Sequence, residues 1–343
     1  MEHHRPHRYG PVRPAATAPG ALPTGGSPSV RAGVIEVVSG GTWTTIQDRG
    51  RPGWERYGVS PGGPADWFSA AAANALVGND PDAALVECTL MGPTLRFRRE
   101  ATVALMGGET LAIENGIAFP LAAGAELKIG RVRRGLRTYV AVRGGIAVPR
   151  VMGSRALCQL GRFGGGFGRP LEVGDQLPVG KATAQPPPPL PLPKGRGLRS
   201  GGGRFLKRLP LVGPWEVRVM AGPHTSAFGA DDFARFLNTA FPVTPRANRM
   251  GMRLRAPGFR VQATEILTTP VTQGAVQVTP SGEAIVLLAE HQTTGGYPVI
   301  ATVISADWPL LGQARPGDTI HFREVSLAEA QRARSRLDGW FGQ

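Results

Sequence analysis

Short apolar segments separated by glycine and proline recur along the whole sequence, and they leave few stretches long enough for a helix. The segments are rich in branched or alternating apolar residues, which is typical of β-strands. In the first half they cover about 34–38, 84–89, 94–97, 102–106, 111–113, 126–129 and 136–142. In the second half they cover about 216–220, 252–255, 274–278, 284–289, 299–304 and 319–324. The pattern predicts a mainly β fold with a few helices.

Three helices are predicted among these strands. Pro64 precedes an alanine-rich helix over residues 65–77, which Gly78 ends, because proline suits a first helical turn and glycine a helix terminus. A second helix is predicted over about 231–238. A third begins at Ser326, where Glu329 completes a capping-box pattern. Each half therefore places a helix after a Gly/Pro loop among strands, which predicts two related barrel-like β domains in tandem.

A proline run at 186–189, followed by glycine-rich sequence, divides the chain. Proline runs favour extended polyproline II and glycines favour coil, so this segment is interpreted as a spacer; a proline-binding partner is the alternative. We predict a disordered tail over 1–32, β domains over 33–180 and 211–325, a basic linker over 181–210 and a C-terminal helix over 326–343.

The formal net charge is +14. The tail, residues 1–31, carries a net +3, and residues 181–208 carry +7 with no acidic residue. Most of the charge thus lies outside the predicted domains, whereas nucleic-acid-binding proteins concentrate it on a folded face. We therefore predict solvated basic segments and no nucleic-acid partner.

Cysteine content and hydropathy exclude several further classes. Cys88 and Cys158 lack the CxxC spacing of a zinc site and are expected to be buried. No run of about 18 apolar residues predicts a membrane span, and the tail lacks the apolar core of a secretory signal, so we expect the cytoplasm. The tail histidines His3, His4 and His7 have no fixed geometry, and no metal site is predicted.

Common nucleotide and cofactor motifs are absent. The sequence contains neither GxxxxGK[ST] nor a Gly-x-Ser-x-Gly elbow. The run Gly164–Gly168 lacks the strand–loop–helix spacing of a dinucleotide site, which favours a flexible loop. None of the four lysines lies between two methionines, as a biotin-carrying lysine would; they are Lys128, Lys181, Lys194 and Lys207. Biotin would therefore have to be delivered by another chain or domain.

Two loops combine glycine with hydroxyl groups. Residues 292–298 read Gln-Thr-Thr-Gly-Gly-Tyr-Pro and lie between two apolar segments; residues 60–66 read Ser-Pro-Gly-Gly-Pro-Ala-Asp. Glycine lets a ligand approach the backbone closely, so N–H groups and hydroxyls of such loops can bind one. An ordinary hairpin turn is the alternative for the first loop.

Charged and amide side chains provide candidate catalytic groups. The motif over residues 47–53 supplies Asp48, Arg49 and Arg51, and an arginine fork can clamp a carboxylate or phosphate; a surface turn is the alternative. Arg249 is a second candidate clamp. Gln277, on an apolar strand, needs either a core hydrogen bond or a ligand. The pair Glu290-His291 is a candidate for acid–base chemistry, although a lone loop histidine is more often only polar surface.

These segments together resemble a known family. Residues 46–53, 58–63, 73–79, 249–251, 274–278 and 292–304 are similar, in order, to the KipA family, which forms the C subunit of 5-oxoprolinase. The resemblance extends to urea amidolyase, where the same module is the second half of the carboxyltransferase region and is also called allophanate hydrolase subunit 2. The resemblance covers about residues 33–325 and implies two tandem cyclophilin-like β-barrel domains.

The resemblance also implies a reaction and partners. With a KipI-like B subunit and an A subunit, the chain would help open 5-oxoproline to glutamate at the expense of ATP. Phosphorylation of the lactam oxygen would be stabilised by cationic and N–H groups. On this basis Arg49, Arg249 and Gln277 are predicted to be catalytic. Substrate binding is predicted for Asp48, Arg51, Ser60, Gly62, Gly63, Thr293, Thr294, Gly295, Gly296 and Tyr297.

Two alternatives stay open at this point. In one, the chain is the carboxyltransferase component of a biotin-dependent urea or amide carboxylase, with biotin carried by another chain. In the other, it is a non-catalytic protein that binds a KipI-like inhibitor of a kinase. Fold and motifs alone do not separate these functions.

Overall fold

The structure, a computed structural model, describes residues 35–182 without 112 and 114, and residues 213–341 without 256, 257, 260 and 262–265. The predicted N-terminal tail and most of the predicted linker lie outside the described residues. The boundaries proposed for two separate domains therefore stay a prediction.

The described residues are mainly β, as predicted, with four α-helices. The strands of the first half are β1 Ile35–Ser39, β2 Trp43–Gln47, β3 Leu85–Thr89, β4 Met91–Phe97, β5 Ala101–Thr110, β6 Ala118–Leu121, β7 Glu126–Val142 and β8 Gln176–Leu177. Those of the second half are β9 Trp215–Ala221, β10 Ala240–Pro242, β11 Gly251–Leu254, β12 Thr269–Pro270, β13 Ala275–Val278, β14 Ala284–Leu287, β15 Thr294–Gly295, β16 Val299–Val303 and β17 Thr319–Glu324. The helices are α1 Trp67–Val77, α2 Asp232–Leu237, α3 Trp308–Gln313 and α4 Leu327–Asp338.

The first sheet contains eight strands in the order β2-β3-β7-β4-β1-β8, with β5 and β6 attached through β7. Its centre is β7, a single strand of 17 residues that pairs with β3, β4 and β5. The prediction of two separate strands, 126–129 and 136–142, was wrong, since both belong to β7. Exposed arginines over 131–134 interrupt the apolar pattern of the sequence, but the backbone stays paired through them. The predicted strand at 111–113 was also wrong, since residues 111 and 113 lie in bends.

The second sheet contains seven strands in the order β10-β17-β9-β16-β13-β14-β11. Its two ends meet, because Val243 and Leu254 form a bridge just beyond β10 and at the end of β11. Backbone bonds of 2.9 Å from Thr244 N–H to the Arg253 carbonyl and from Arg255 N–H to the Pro242 carbonyl accompany this bridge. The sheet is thus a nearly closed barrel, which leaves few unpaired edges.

Local sequence explains the helix termini. In α1 the side chain of Asp66 accepts a 2.9 Å bond from the N–H of Ser69, and Gly78 ends the helix in a left-handed conformation. Helix α4 begins at the predicted capping box of Ser326 and Glu329. Helix α3 was not predicted, because its six residues are too few for a periodic pattern.

The two sheets pack against each other through buried polar contacts. The side chain of Gln313, at the end of α3, is fully buried and bonds the N–H groups of Leu136 and Arg137 on β7 at 2.9 and 3.1 Å. Its Nε2 donates to Asp66 at 2.7 Å. The guanidinium of Arg137 donates to the Gly312 carbonyl at 2.6 Å. The two sheets therefore belong to one compact unit within the described residues.

Candidate functional site

The two loops at residues 48–53 and 60–64 form one rigid unit. Asp48 accepts hydrogen bonds from Gly50 N–H at 2.9 Å, Ser154 Oγ at 2.5 Å and Arg155 N–H at 2.6 Å. Gly50 has φ +84°, and a Cβ there would lie 2.4 Å from the carbonyl of Pro61. Asp48 therefore orders this loop with both of its oxygens, and glycine is required where the loops approach each other.

Arg51 is buried beneath the second loop rather than exposed at its surface. Its Nη2 donates to the Ala156 carbonyl at 2.5 Å, and its guanidinium lies over the Phe163 ring, 5.0 Å from the centroid. The Nε and Nη1 atoms have no hydrogen-bond partner among the described residues, and burial lowers the pKa of the group. Arg51 thus supports Gly62 from below, and Ser60 and the N–H of Gly62 bond the Ala289 carbonyl of the second half at 3.3 and 3.0 Å.

A pocket of about 250 Å³ opens where the two halves meet; we name it the inter-sheet pocket. Arg49 lies at its rim, with a side chain that is 68% exposed and a 3.5 Å contact to Asp82. Indole rings from both halves, Trp67 and Trp308, line it. The full lining is Gln47, Asp48, Arg49, Gly62, Pro64, Trp67, Ala70, Ala71, Asn74, Pro81, Asp82, Ala83, Leu85, Gln273, Trp308 and Arg334.

Arg249 lies outside this pocket, in a buried charge cluster that joins the halves. Its Nη1 forms a short ion pair with Glu87 of β3, its Nε donates to Glu290 at 2.9 Å, and its Nη2 donates to the Gly63 carbonyl at 2.6 Å. Glu87 also accepts from the Tyr139 hydroxyl at 2.9 Å. All three nitrogens of Arg249 are engaged within the protein, so the structure gives this residue a role in holding the halves together.

Burial and charge act in opposite directions on this cluster. Burial by itself would raise the pKa of Glu87, but the guanidinium groups of Arg249 and Arg137 hold it below its ordinary value. Burial would likewise lower the pKa of Arg249, but Glu87 and Glu290 raise it. Both groups are therefore charged at neutral pH and stabilise each other.

Gln277 lines a second pocket, of about 220 Å³, on the barrel of the second half; we name it the amide pocket. Its Nε2 donates to the Tyr297 carbonyl at 3.4 Å, and its Oε1 accepts from Gln292 at 3.1 Å. The partner expected for this polar group on an apolar strand is thus another amide and the loop backbone. The full lining is Asn248, Met250, Gly251, Arg253, Gln277, Ile285, Leu287, Gln292 and Tyr297.

The glycine- and threonine-rich loop, residues 292–298, borders the amide pocket. Thr294 and Gly295 form β15, which pairs with β12, and the Thr293 carbonyl accepts from Val271 N–H at 3.0 Å. A Cβ at Gly295 would lie 2.6 Å from Gln277 Nε2, whereas Gly296 has more space, with its nearest contact at 3.5 Å. The loop is therefore shaped by its own chain, and glycine at 295 permits the approach to Gln277.

The pair Glu290 and His291 is buried. Glu290 Oε1 is engaged by Arg249, while its Oε2 has no partner within the part of the chain that the structure describes. His291 Nδ1 contacts the Gln292 carbonyl at 2.6 Å, and burial lowers the pKa of the imidazole. The surface alternative for His291 was wrong, because the apolar segment before it carries the residue into the interior.

The predicted residues fall into four groups. Asp48, Arg49 and Gly62 line the inter-sheet pocket, and Arg249 and Gly63 belong to the charge cluster. Gln277 and Tyr297 line the amide pocket, with residues 293–296 in the loop beside it, and Arg51 lies beneath the loop at residues 60–64, to which Ser60 belongs. Sequence reasoning missed Trp67, Trp308 and Arg334, which come from different elements and share no motif. Within the described residues no cluster of His, Cys, Asp and Glu is suited to a metal ion. None of the described helices has the length and apolar composition to cross a bilayer.

The comparisons with known proteins agree with this architecture. Residues 57–324 match the family described as carboxyltransferase domain, subdomain A and B. The chain is 35% identical over 317 residues to the C subunit of 5-oxoprolinase from Escherichia coli strain K12, covering 90% of this chain and 97% of that protein. The chain therefore belongs to the carboxyltransferase subdomain A and B family.

Larger relatives contain the same module. Urea amidolyase of Lachancea kluyveri is 32% identical over 325 residues, which cover 89% of this chain and 18% of that protein. The solved urea carboxylase of Kluyveromyces lactis superposes with a TM-score of 0.79 at 29% identity, over 91% of this chain and 29% of that chain. The chain thus spans less than a third of these two multidomain relatives.

Proposed function

We propose that this chain is the C subunit of an ATP-dependent 5-oxoprolinase, which opens 5-oxoproline to glutamate together with a KipI-like B subunit and an A subunit. The Escherichia coli relative that bears the name of this subunit supports the proposal, because the match covers 97% of it. The urea amidolyase match covers only 18% of that protein. The match therefore takes in nearly the whole of the Escherichia coli subunit and only a small part of the urea amidolyase.

The geometric observation that carries the proposal is the inter-sheet pocket. Its lining includes the side chains of Trp67 and Trp308, and its polar groups include Gln47 and the guanidinium groups of Arg49 and Arg334. Aromatic side chains pack against a small planar ring, amide groups bond a lactam, and guanidinium groups bond a carboxylate. 5-Oxoproline combines a planar lactam with a carboxylate.

The glycine-rich loop at residues 164–168 does not form a nucleotide site. The glycine loop 164–168 packs on its own chain: Gly165 and Gly168 donate their N–H groups to the carbonyls of Arg155 and Gly164 at 2.9 and 2.8 Å. A Cβ at Gly166 would lie 2.8 Å from Val148. These glycines thus serve close packing, and no helix follows them directly in the described residues. We assign nucleotide binding to the partner subunits.

In the proposed reaction, ATP on the partner subunits would phosphorylate the lactam oxygen, water would then add to the activated carbonyl carbon, and the ring C–N bond would break, giving glutamate, ADP and phosphate. The contribution of this chain is to bind and orient the ring. The half-buried side chains of Trp67 and Trp308 would shield the ring from part of the bulk water, and Arg49 at the rim is the candidate carboxylate ligand. The catalytic role of Gln277 and the substrate contacts of the 293–297 loop stay predictions that belong to the amide pocket.

A second candidate function is the carboxyltransferase component of a biotin-dependent urea or amide carboxylase, working in the cytoplasm with biotin carried on another chain. The family description, carboxyltransferase domain, favours it. An amide nitrogen would be the acceptor, and the same pocket would bind the amide. The two candidates therefore differ in the partners and not in the pocket.

Reconstitution distinguishes the candidates. The full chain alone is expected to release no glutamate from 5-oxoproline, and the mixture with the A and B subunits and ATP is expected to release it. Two control mixtures, one without ATP and one without this chain, should release no glutamate. If the complete mixture is inactive, while a biotin carboxylase and its carrier protein with this chain consume bicarbonate in an amide-dependent way, the second function replaces the first. If the chain only binds the KipI-like partner without either activity, it is a binding protein.

A further inference from the structure

Gln47, the last residue of β2, has a buried hydrogen-bond acceptor without a partner among the described residues. The residue is 0% exposed and lines the inter-sheet pocket. Its Nε2 donates to Thr45 Oγ1 at 3.0 Å, but its Oε1 accepts no hydrogen bond from any described group. A buried polar atom without a partner is costly and is retained mainly where a ligand or a bound water satisfies it.

The other buried amide in the pocket lining, Asn74, is fully engaged, and the third amide, Gln273, is only half-buried, which singles out Gln47. Asn74 Nδ2 donates to the Pro81 carbonyl at 3.3 Å and the Ala83 carbonyl at 2.8 Å, and its Oδ1 accepts from Asn79 at 3.0 Å. These bonds fasten helix α1 to the loop that follows it. Asn74 therefore shapes the wall, whereas Gln47 retains a free acceptor.

Two guanidinium groups at the same pocket retain donors. Arg334 of α4 lies over the Trp67 ring, 4.0 Å from its centroid, and only its Nε is bonded, to Asp338 at 2.9 and 3.0 Å, among the described residues. Arg49 has a 3.5 Å contact with Asp82, and an exposed ion pair of this kind contributes little. A ligand carboxylate can therefore compete for either arginine.

We propose that Gln47 Oε1 accepts the N–H of a small cyclic amide, and that the pocket thereby selects lactams over rings that lack this hydrogen. This assignment rests on the proposed function and deepens it, because it makes Gln47 the specificity-determining residue of the inter-sheet pocket. The lactam ring lies between the indole walls of Trp67 and Trp308, and its carboxylate is bound by Arg49 or Arg334.

The proposal predicts a difference between two ligands of nearly equal shape. In 5-oxoproline the ring carries N–H; in its lactone isostere, 5-oxotetrahydrofuran-2-carboxylate, an oxygen acceptor takes that place. The ring oxygen of the lactone and Gln47 Oε1 are both acceptors, so Gln47 stays without a hydrogen bond when the lactone binds. Sites built around a hydrogen bond to a ligand reject the analogue that lacks the donor. We expect the lactam to bind at least roughly tenfold more tightly than the lactone.

The experiment is isothermal titration of the full chain with 5-oxoproline, its N-methyl derivative and the lactone. Wild-type protein should prefer 5-oxoproline to both analogues, and Gln47→Ala should lose that preference. Gln176→Ala is the matched control: Gln176 on β8 also has an Oε1 without a partner in the described part of the chain but does not line the pocket, so the preference should persist. Thermal melts of both variants confirm folding.

Equal binding of lactam and lactone by the wild-type chain overturns the proposal, as does the absence of binding for all three ligands. Both outcomes are measured on the wild-type chain, so the test remains valid even if Gln47→Ala does not fold. The titration uses the chain alone, so its result does not depend on reconstitution with the partner subunits. Glutamate release by the assembled subunits without a lactam preference removes only the role of Gln47. A lactam preference without glutamate release retains that role and removes the proposed function.

Discussion

Replacing Arg249 by methionine tests whether the buried charge cluster holds the two halves together. The variant leaves Glu290 and Glu87 in the interior without the guanidinium that bonds both of them, and Glu87 keeps the more distant guanidinium of Arg137, at 3.7 Å. Removing one partner of a buried ion pair costs about 3–5 kcal/mol, because the remaining charge is uncompensated. We expect the free energy of unfolding to fall by about 4 kcal/mol at neutral pH.

The loss should depend on pH with a defined sign. In the wild type the pKa of Glu87 is lowered despite burial, so its ionised form stabilises the fold above the ordinary glutamate pKa of about 4.3 and that stability is lost as pH falls further. Without Arg249, burial prevails and raises the pKa of the same carboxyl. The variant then recovers stability as pH falls and Glu87 becomes protonated. The difference between the proteins is thus largest near neutral pH and shrinks as pH falls through the raised pKa of Glu87 in the variant, toward the ordinary glutamate value.

Equilibrium urea unfolding, followed by tryptophan fluorescence and circular dichroism near neutral pH and at about pH 5, measures both effects. Arg253→Met is the control, because Arg253 pairs with Glu283 at 2.6 Å on a partly exposed strand and its loss should cost less than about 1 kcal/mol. The reasoning fails if Arg249→Met costs no more than this control, or if its cost is the same at both pH values.

Three further predictions follow from the loops and the interface. Burial raises the pKa of Asp66 to about 6, so its charge destabilises the fold above that pH and the cost disappears below about pH 4. The titration of Asp66 should therefore raise the wild-type melting temperature between about pH 6 and pH 4, and Asp66→Asn should remove that contribution. Gln313→Leu leaves the N–H groups on β7 unbonded and should cost about 2–4 kcal/mol in urea unfolding; a cost below about 1 kcal/mol would contradict the interface described. Gly50→Ala should destabilise the protein more than Gly53→Ala by at least about 1 kcal/mol. Both glycines have positive φ, but only a Cβ at Gly50 would contact the backbone of the second loop, at the Pro61 carbonyl. Equal melting temperatures of the two variants would count against this close approach.

Much of the fold could be predicted from local sequence. Strands β3, β9 and β16 are continuous apolar or alternating runs bounded by glycine and proline, and the capping residues of α1 and α4 lie at the helix termini that their side chains favour. The long strand β7 could not be predicted as one element. Its pairing with three neighbours supplies backbone bonds that keep the arginine-rich middle extended, and no local pattern records those partners.

The candidate site was only partly accessible to the same reasoning. The motif over residues 47–53 pointed to the inter-sheet pocket because glycine and charge concentrate there. The sequence also suggested Arg249 as a ligand clamp. The sequence around an arginine beside a strand is the same whether its guanidinium binds a substrate or a buried glutamate. The distinction depends on Glu87, which lies 162 residues away in the chain and reaches Arg249 only when the sheets pack.

The amino-acid order by itself determined the class of fold, the places where helices begin and end, and the loops where backbones approach, because these depend on neighbours within a few residues. Only the tertiary structure decided which polar groups are satisfied. Gln47 and Asn74 are both buried amides in one pocket, yet within the described residues one retains a free acceptor and the other is engaged on both atoms. That difference is set by carbonyls and amides brought together through packing, and the proposed ligand selection by Gln47 depends on it.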